Sequence, residues 1–470
     1  MINMKLFLFL LFLITLNSYL IFPIEYLPEE NYKFLVDKKF KNKTNEDMMQ
    51  KLYYRLLMTK IELGTPARNF TLIIDSDDDK YYIASSQRPK ISNEPVRDIK
   101  YYLFDKSELL NESYSSSYKK GPCEAVDYEV FSYAELCTAK DVVNFNQNNN
   151  KYQKTFEFRM VRNNEDNIPG LLGLLYNFKG SQTLHPNFIN ELRGQSLIEN
   201  NYWFMNFEKV SPFNRIIEGQ IIIGGLPHDI FPDKYKKENY VETKKSKKAH
   251  FHGAWKIEFD KIWVGDKEFT YLLFNTQCVL NYEVYHIIGS LEFHFRMKEN
   301  FMDELLEEKK CFKGTFPQNI HYRKELTFYY CNKDMKNFLY EHLPNIKFYI
   351  EDFGQEMEIT TEELYYEEGD YIYLMMLFGG IEFNYFSLGQ MFTTKYNFVF
   401  NNYYKEIGFY KTNKKFMLSS YSYYAIGIII IPLISLFVGL MIGKKMFGKK
   451  GINNEAEELI DMNEINANKA

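Results

Sequence analysis

The sequence predicts an all-β chain of two similar lobes carried on one C-terminal membrane helix. Three observations point there. Short apolar or alternating runs, separated by turn residues, fill the middle of the chain: MTKIEL, FTLIID, YYIASS, EFRMV, QIIIGG, WKIEFDKIWVG, TYLLFN, IKFYI and NFVFNNYYKEIGFY. A strand–turn pattern near residue 60 returns roughly 200 residues later. Both ends carry apolar runs of a different kind, continuous rather than alternating. With 470 residues, 46% hydrophobic and 17% aromatic, the chain has material for two cores.

The N-terminus, MINMKLFLFLLFLITLNSYL, sets one lysine before a short apolar run and reads as a secretory signal peptide over residues 1–20. An uncleaved signal anchor is the other reading. Near the far end, AIGIIIIPLISLFVGLMIG (425–443) runs for 19 residues without a charge, enough for one membrane span. Pro432 is tolerable inside such a helix. The following KKMFGKK is a basic flank of the kind that stays cytosolic. The expected order is an N-terminal lobe (21–210), a C-terminal lobe (211–415), a transmembrane helix (425–443) and a cytoplasmic tail (444–470). That makes a type I membrane protein of the secretory or endosomal/vacuolar system, its bulk luminal or extracellular. The tail contains EAEELI (455–460), patterned like an acidic di-leucine signal that sorting adaptors read, although an ordinary polar tail fits too. The net charge of −5 gives no reason to expect nucleic acid as a partner.

All five cysteines precede the span, in what would be an oxidising space. Proximity pairs Cys123 with Cys137 and Cys311 with Cys331, leaving Cys278 free. No CxxC spacing suggests zinc, and no metal or other cofactor is expected. Asn42, Asn69 and Asn111 head N-glycosylation tripeptides. Helical stretches are few: Pro186–Gly194 and Met302–Lys310. The runs 144–154 and 236–250 read as polar loops.

The recurring pattern runs from a glycine turn through an F-T pair and an apolar strand to a short polar turn. It ends in Asp75-Ser76-Asp77 the first time and in Asn275-Thr276-Gln277 the second. Each half later holds an apolar element closing on glycine, Leu171-Leu172-Gly173 and Ser387-Leu388-Gly389. Two lobes around a shared cleft would produce this pairing.

The first polar turn, IIDSDDDK, admits four readings. A calcium loop needs glycine at its sixth position and glutamate at its twelfth, and those positions hold Lys80 and Ser86. A phosphoaspartyl motif would need crossover helices, which the strand-rich pattern does not supply. A solvated hairpin turn describes Asp78 and Asp79 well. The fourth reading comes from the company the turn keeps.

That company resembles the pepsin-like aspartic peptidase family. YYRLLMTKIELGTPARNFTLIID is similar to the family's entry strand, its I-G-T-P turn and the strand leading to the first catalytic aspartate. PGLLGLLY (169–176), GQIIIGGLPHD (219–229), WKIEFDKIWVGDKEF and SLGQMFTTKYNFVFNNYYKEIGFYK resemble later family segments, in order. LLFNTQC lies where the family has its second D-T-G triplet. The resemblance implies a bilobal pepsin-like fold, and the pair Cys311–Cys331 resembles the family's second-lobe bridge.

In that family two aspartates, one per lobe, share a proton. The charged one takes a proton from a bound water and the neutral one protonates the scissile carbonyl. Carried over, Asp75 fills the first catalytic position and Asn275 the second, where an amide cannot act as an acid. Ser76 and Thr276 keep the bracing hydroxyls. Asp77 and Gln277 stand where the family has glycine. Tyr128 is the matching flap tyrosine, although YEVFSYAEL lacks the flap's glycines. The resemblance thus implies a pseudoenzyme whose cleft binds an extended peptide or another protein. The alternative is an active aspartic endopeptidase of the endomembrane system, using Asp75 with an unrecognised partner.

Overall fold

The computed structural model describes residues 19–26, 44–53, 55–76, 81–84, 115–126, 134–147, 150–163, 170–175, 187–211, 216–243, 254–269, 277–317, 325–343, 345–350, 353–380 and 385–411. Among them, strands assemble into sheets of thirteen, nine and four. Alternation carries the pattern into structure. Leu20–Tyr26 buries every second side chain, and it lies between Ile216–Ile223 and Leu57–Leu63. This strand begins at the last residue expected in the leader. Leu57–Leu63 turns through Gly64, whose φ of +92° suits glycine, and a cis Thr65–Pro66 bond into the next strand.

Eight strands, labelled in chain order, frame the middle of the molecule. They are β1 (Arg68–Asp75), β2 (Tyr81–Ala84), β3 (Asn150–Asn163), β4 (Gly170–Gly173), β5 (Gln277–Leu280), β6 (Ile287–Gly289), β7 (Met376–Phe378) and β8 (Phe386–Leu388). In the larger sheet β1 runs parallel to β4, β4 antiparallel to β2, and β2 parallel to β3. In the second sheet β5 runs parallel to β8, β8 antiparallel to β6, and β6 parallel to β7. The two quartets have one topology, so the recurrence expected from sequence is a recurrence of fold.

The same large sheet takes in the chain's last strands. Val399–Asn401 pairs with Tyr202–Ser211, so residues assigned to opposite lobes share one sheet. Its aromatic core includes Trp203 stacked on Phe400 at 4.1 Å, with Trp255 4.9 Å from the same ring. Such rings bury large apolar areas and add about 0.5–1.5 kcal/mol per well-oriented pair.

Both expected disulfides form, and each staples residues directly opposite in a hairpin. Cys278 is buried and unpaired. The short helix at Phe188–Gly194 is present, capped by Asn187. The second expected helix is longer than its signal. Leu291–Met297, a π turn over Lys298–Met302 and Asp303–Glu307 form one run that buries Phe293, Met297, Met302 and Leu305. Residues 144–154 are no loop: Asn144–Gln147 and Asn150–Lys154 are the paired ends of a long hairpin, where cross-strand bonds outweigh polar composition. Likewise 236–250 includes a short strand, Tyr240–Glu242. Among the described residues no helix is long and apolar enough to cross a membrane, and 425–443 lies outside them.

Candidate functional site

The site is built where the quartets end. β1 is the apolar run of RNFTLIID, and register sets Ile74 beside Leu172 and Asp75 beside Gly173 of β4. The Asp75 carbonyl accepts the Leu174 N–H at 2.8 Å. In the second quartet Leu280 lies beside Leu388 of β8, and the Asn281 N–H continues the ladder to the Leu388 carbonyl at 3.0 Å. The next strand confirms the correspondence. Tyr81 of β2 pairs with Leu172, and Ile287 of β6 pairs with Leu388. Each is the sixth residue past its turn residue, Asp75 and Asn281 respectively. The register therefore makes Asn281 the counterpart of Asp75.

The two turns touch. Ser76, fully buried, accepts the backbone N–H of Tyr282 at its Oγ, 3.3 Å away and 206 residues on. The residues after Asp75 and after Asn281 are thus one hydrogen bond apart. Tyr282 has no short hydroxyl to return the bond. Its ring descends among Trp203 and Phe400, at 6.3 and 6.1 Å, so aromatic packing holds this side. The buried Gln390 amide braces the turn by donating to the carbonyls of Tyr282 and Arg55.

Asn281 is held at both ends. Its Oδ1 accepts the Glu283 N–H at 2.7 Å, which fixes the amide orientation and leaves Nδ2 on the other side. Asn281, Glu283 and Asp75 are all partly exposed. Below them the turn wraps Gly389, where an added Cβ would stand 2.1 Å from the His286 carbonyl oxygen. Only glycine lets these backbones approach so closely. His286 itself is fully buried, and neither ring nitrogen has a partner among the described residues. Burial pushes its pKa down to about 3.

The sequence-derived residues fare unevenly. Asp75 and Ser76 stand at the centre of the arrangement. Asp77, Tyr128, Asn275 and Thr276 lie outside the described residues. Tyr128 belongs to the connection between the strands Lys119–Val126 and Ala134–Gln147, which Cys123–Cys137 ties together. Gln277 is corrected. It begins β5 opposite Glu258, four residues before Asn281, or about 13 Å along an extended strand. It does not occupy the place of a glycine in the turn; Glu283 does. The place given to Asn275 belongs by register to Asn281. Both follow apolar runs, and Asn275-Thr276 imitates an aspartate followed by a hydroxyl better than Asn281-Tyr282. The signal that separates them is the six-residue step to the next apolar strand, which Asn281 keeps.

Among the described residues no group of three His, Cys, Asp or Glu side chains is placed to hold a metal ion. No curated protein matches the chain closely enough to be counted a relative. A family model does match: eukaryotic aspartyl protease, over residues 57–412. That span runs from the first residue of the strand entering β1 to just past the last paired strand, and it contains both turns. On that match, and on two quartets of one topology meeting at Ser76, the chain belongs to the eukaryotic aspartyl protease family.

Proposed function

We propose that this protein is a membrane-anchored member of the family that binds an extended peptide or protein segment in its cleft without hydrolysing it. The observation that carries the reading is Asn281 in register with Asp75. Hydrolysis by a shared-proton pair needs one carboxylate to take a proton from water and one carboxylic acid to give a proton to the carbonyl. An amide does neither near neutrality. General acid–base catalysis is worth about 10²–10⁴-fold, and the substitution falls on the group that supplies it. Binding needs less. Strand-like backbone pairing in a cleft does not require either proton transfer.

The anchor is the uncharged run 425–443 with its basic flank, and a leader ending ahead of the strand that begins at Leu20 directs the bulk to the lumen or exterior. Two disulfides and three glycosylation tripeptides suit that side of the membrane. EAEELI directs the protein to endosomal or vacuolar membranes through sorting adaptors.

The second reading, an active aspartic endopeptidase, draws on one observation: Glu283 puts a carboxylate two residues from Asn281. Incubating the purified protein with denatured protein across pH 3–6, with and without a statine-type inhibitor, separates the two. The binding reading expects no inhibitor-sensitive cleavage. Cleavage abolished by Asp75→Ala and by Glu283→Gln would overturn it in favour of the second.

A further inference from the structure

We propose that the groove between the helical run 291–307 and the helix Lys336–His342 is a docking site for an arginine-bearing segment of a partner protein. None of the residues lining it belongs to the paired turns, and the inference does not rest on the cleft-binding reading. The sequence pattern shapes the groove. Along 291–307 the buried apolar residues Phe293, Met297, Met302 and Leu305 follow one another at steps of four, five and three. The step of five is the π turn Lys298–Met302, which absorbs one extra residue and keeps Met302 in line with Met297. Met302 and Leu305, with Leu339 and Leu343 from the other side, floor a groove of about 360 Å³, large enough for a ligand site.

The rim joins an aromatic shelf to uncompensated negative charge. Phe338 is exposed, yet its ring is held. It stacks on His342 with centroids 4.0 Å apart and planes 13° apart, and His342 Nδ1–H donates to the Phe338 carbonyl at 2.9 Å. Three carboxylates line the groove and are unequally satisfied. Asp303 is paired with Lys298 at 2.7 Å. Glu299 and Glu304 are exposed and have no ion pair among the described residues. Lys267, which also lines the groove, is already engaged, 5.0 Å over the Phe301 ring and 3.3 Å from Asn300 Oδ1. Charge and shape together select a cation with a flat face. A guanidinium can lie on an aromatic ring and still donate to carboxylates, which a compact ammonium does less well. An apolar residue beside it would enter the floor. The same carboxylates disfavour phosphates and anionic membranes.

The test uses the full chain in detergent and four fluorescein-labelled octapeptides read by anisotropy: GSRFRGSG, GSKFKGSG, GSRSRGSG and GSEFEGSG. The arginine–phenylalanine peptide should bind about tenfold tighter than the acidic one and several-fold tighter than the other two, and added salt should weaken it. Glu299→Gln combined with Glu304→Gln should weaken that peptide about tenfold. Phe338→Ala, at an exposed position, should weaken it about fivefold. Both variants should unfold at the wild-type temperature. A statine-containing hexapeptide should not displace the probe. Equal binding of the arginine–phenylalanine and acidic peptides, binding that survives both variants, or no binding at all overturns the proposal. Displacement by the statine peptide would put the probe in the cleft, overturning the groove while leaving the cleft-binding reading in place. Self-association of the wild-type chain in sedimentation, abolished by Phe338→Ala, would make the occupant a second copy and overturn the arginine-bearing partner.

Discussion

On the proposed reading, one NH2 group in place of a carboxyl oxygen at position 281 removes the second acid of a proton-sharing pair. Restoring it is not enough. Asn281→Asp would restore a carboxylate in register with Asp75, but Glu283, and in sequence Asp77, hold the third position of the turn where the family has glycine. Glycine at that third position lets water and peptide come close, and a side chain there fills the space. Asn281→Asp alone is expected to show no inhibitor-sensitive cleavage at acidic pH; the triple change with Asp77→Gly and Glu283→Gly is the smallest set expected to show any. Turnover by the single variant, read from released peptide, would show the crowding to be harmless. Ser76 gives a second expectation. Removing its buried hydroxyl leaves the Tyr282 N–H without an acceptor, which costs about 1–3 kcal/mol. Thermal unfolding of Ser76→Ala should fall by a few degrees, and Ser76→Thr should recover most of it.

Strand pairing places these side chains, and two hairpins are closed by disulfides. Cys311–Cys331 joins residues 20 apart in sequence on a hairpin, one strand of which pairs with β7. Opening a loop of that length costs about 3 kcal/mol by chain entropy. The double variant Cys311→Ser, Cys331→Ser should therefore shift the denaturant midpoint down with little change in slope. Loss of the second lobe's fold in the variant, seen as early protease cutting confined to 254–411, would mean the bond does more than restrict the unfolded chain. The other bridge, Cys123–Cys137, joins directly opposed residues of the hairpin formed by Lys119–Val126 and Ala134–Gln147.

Acidity acts on the entire folded chain. Burial holds His286 near a pKa of about 3, against 6.5 for the ordinary group. The unfolded chain thus takes up the proton first, so this contribution to stability is complete above pH 6.5 and is lost as pH falls toward 3. At pH 4.5 the loss is about 3 kcal/mol, two units at about 1.4 each. His294, lowered to about 4 by burial and then by Lys313 and Lys298, pulls the same way. The unfolding temperature should drop between pH 7 and pH 4.5, and His286→Phe should flatten that drop; an unchanged slope in the variant would place the acid sensitivity elsewhere. Membrane attachment is checked separately: removal of 425–443 should release the protein into the soluble luminal or secreted fraction, and an unchanged membrane fraction would rule out this span as the anchor.

The sequence alone determined the class of fold, because period-two burial, turn residues and the ordered family segments are local signals that each strand carries in itself. It determined both disulfides for a related reason: the partners are close in the chain, and a short loop leaves few alternatives. Asp75 was legible because an apolar strand running into an acidic turn is a contiguous pattern. The second turn was not. Two apolar runs ending in asparagine lie six residues apart, at Asn275 and Asn281, and only the six-residue step to the next apolar strand ranks them locally. The choice depends on which run pairs in parallel with β8, a contact across more than a hundred residues, and on which backbone N–H reaches Ser76. Tyr282, Glu283 and His286 were hidden for the same reason. Their roles come from neighbours supplied by distant strands, the aromatic floor of Trp203 and Phe400, the glycine at 389 and the burial of an imidazole, and such neighbours exist only once the chain has folded.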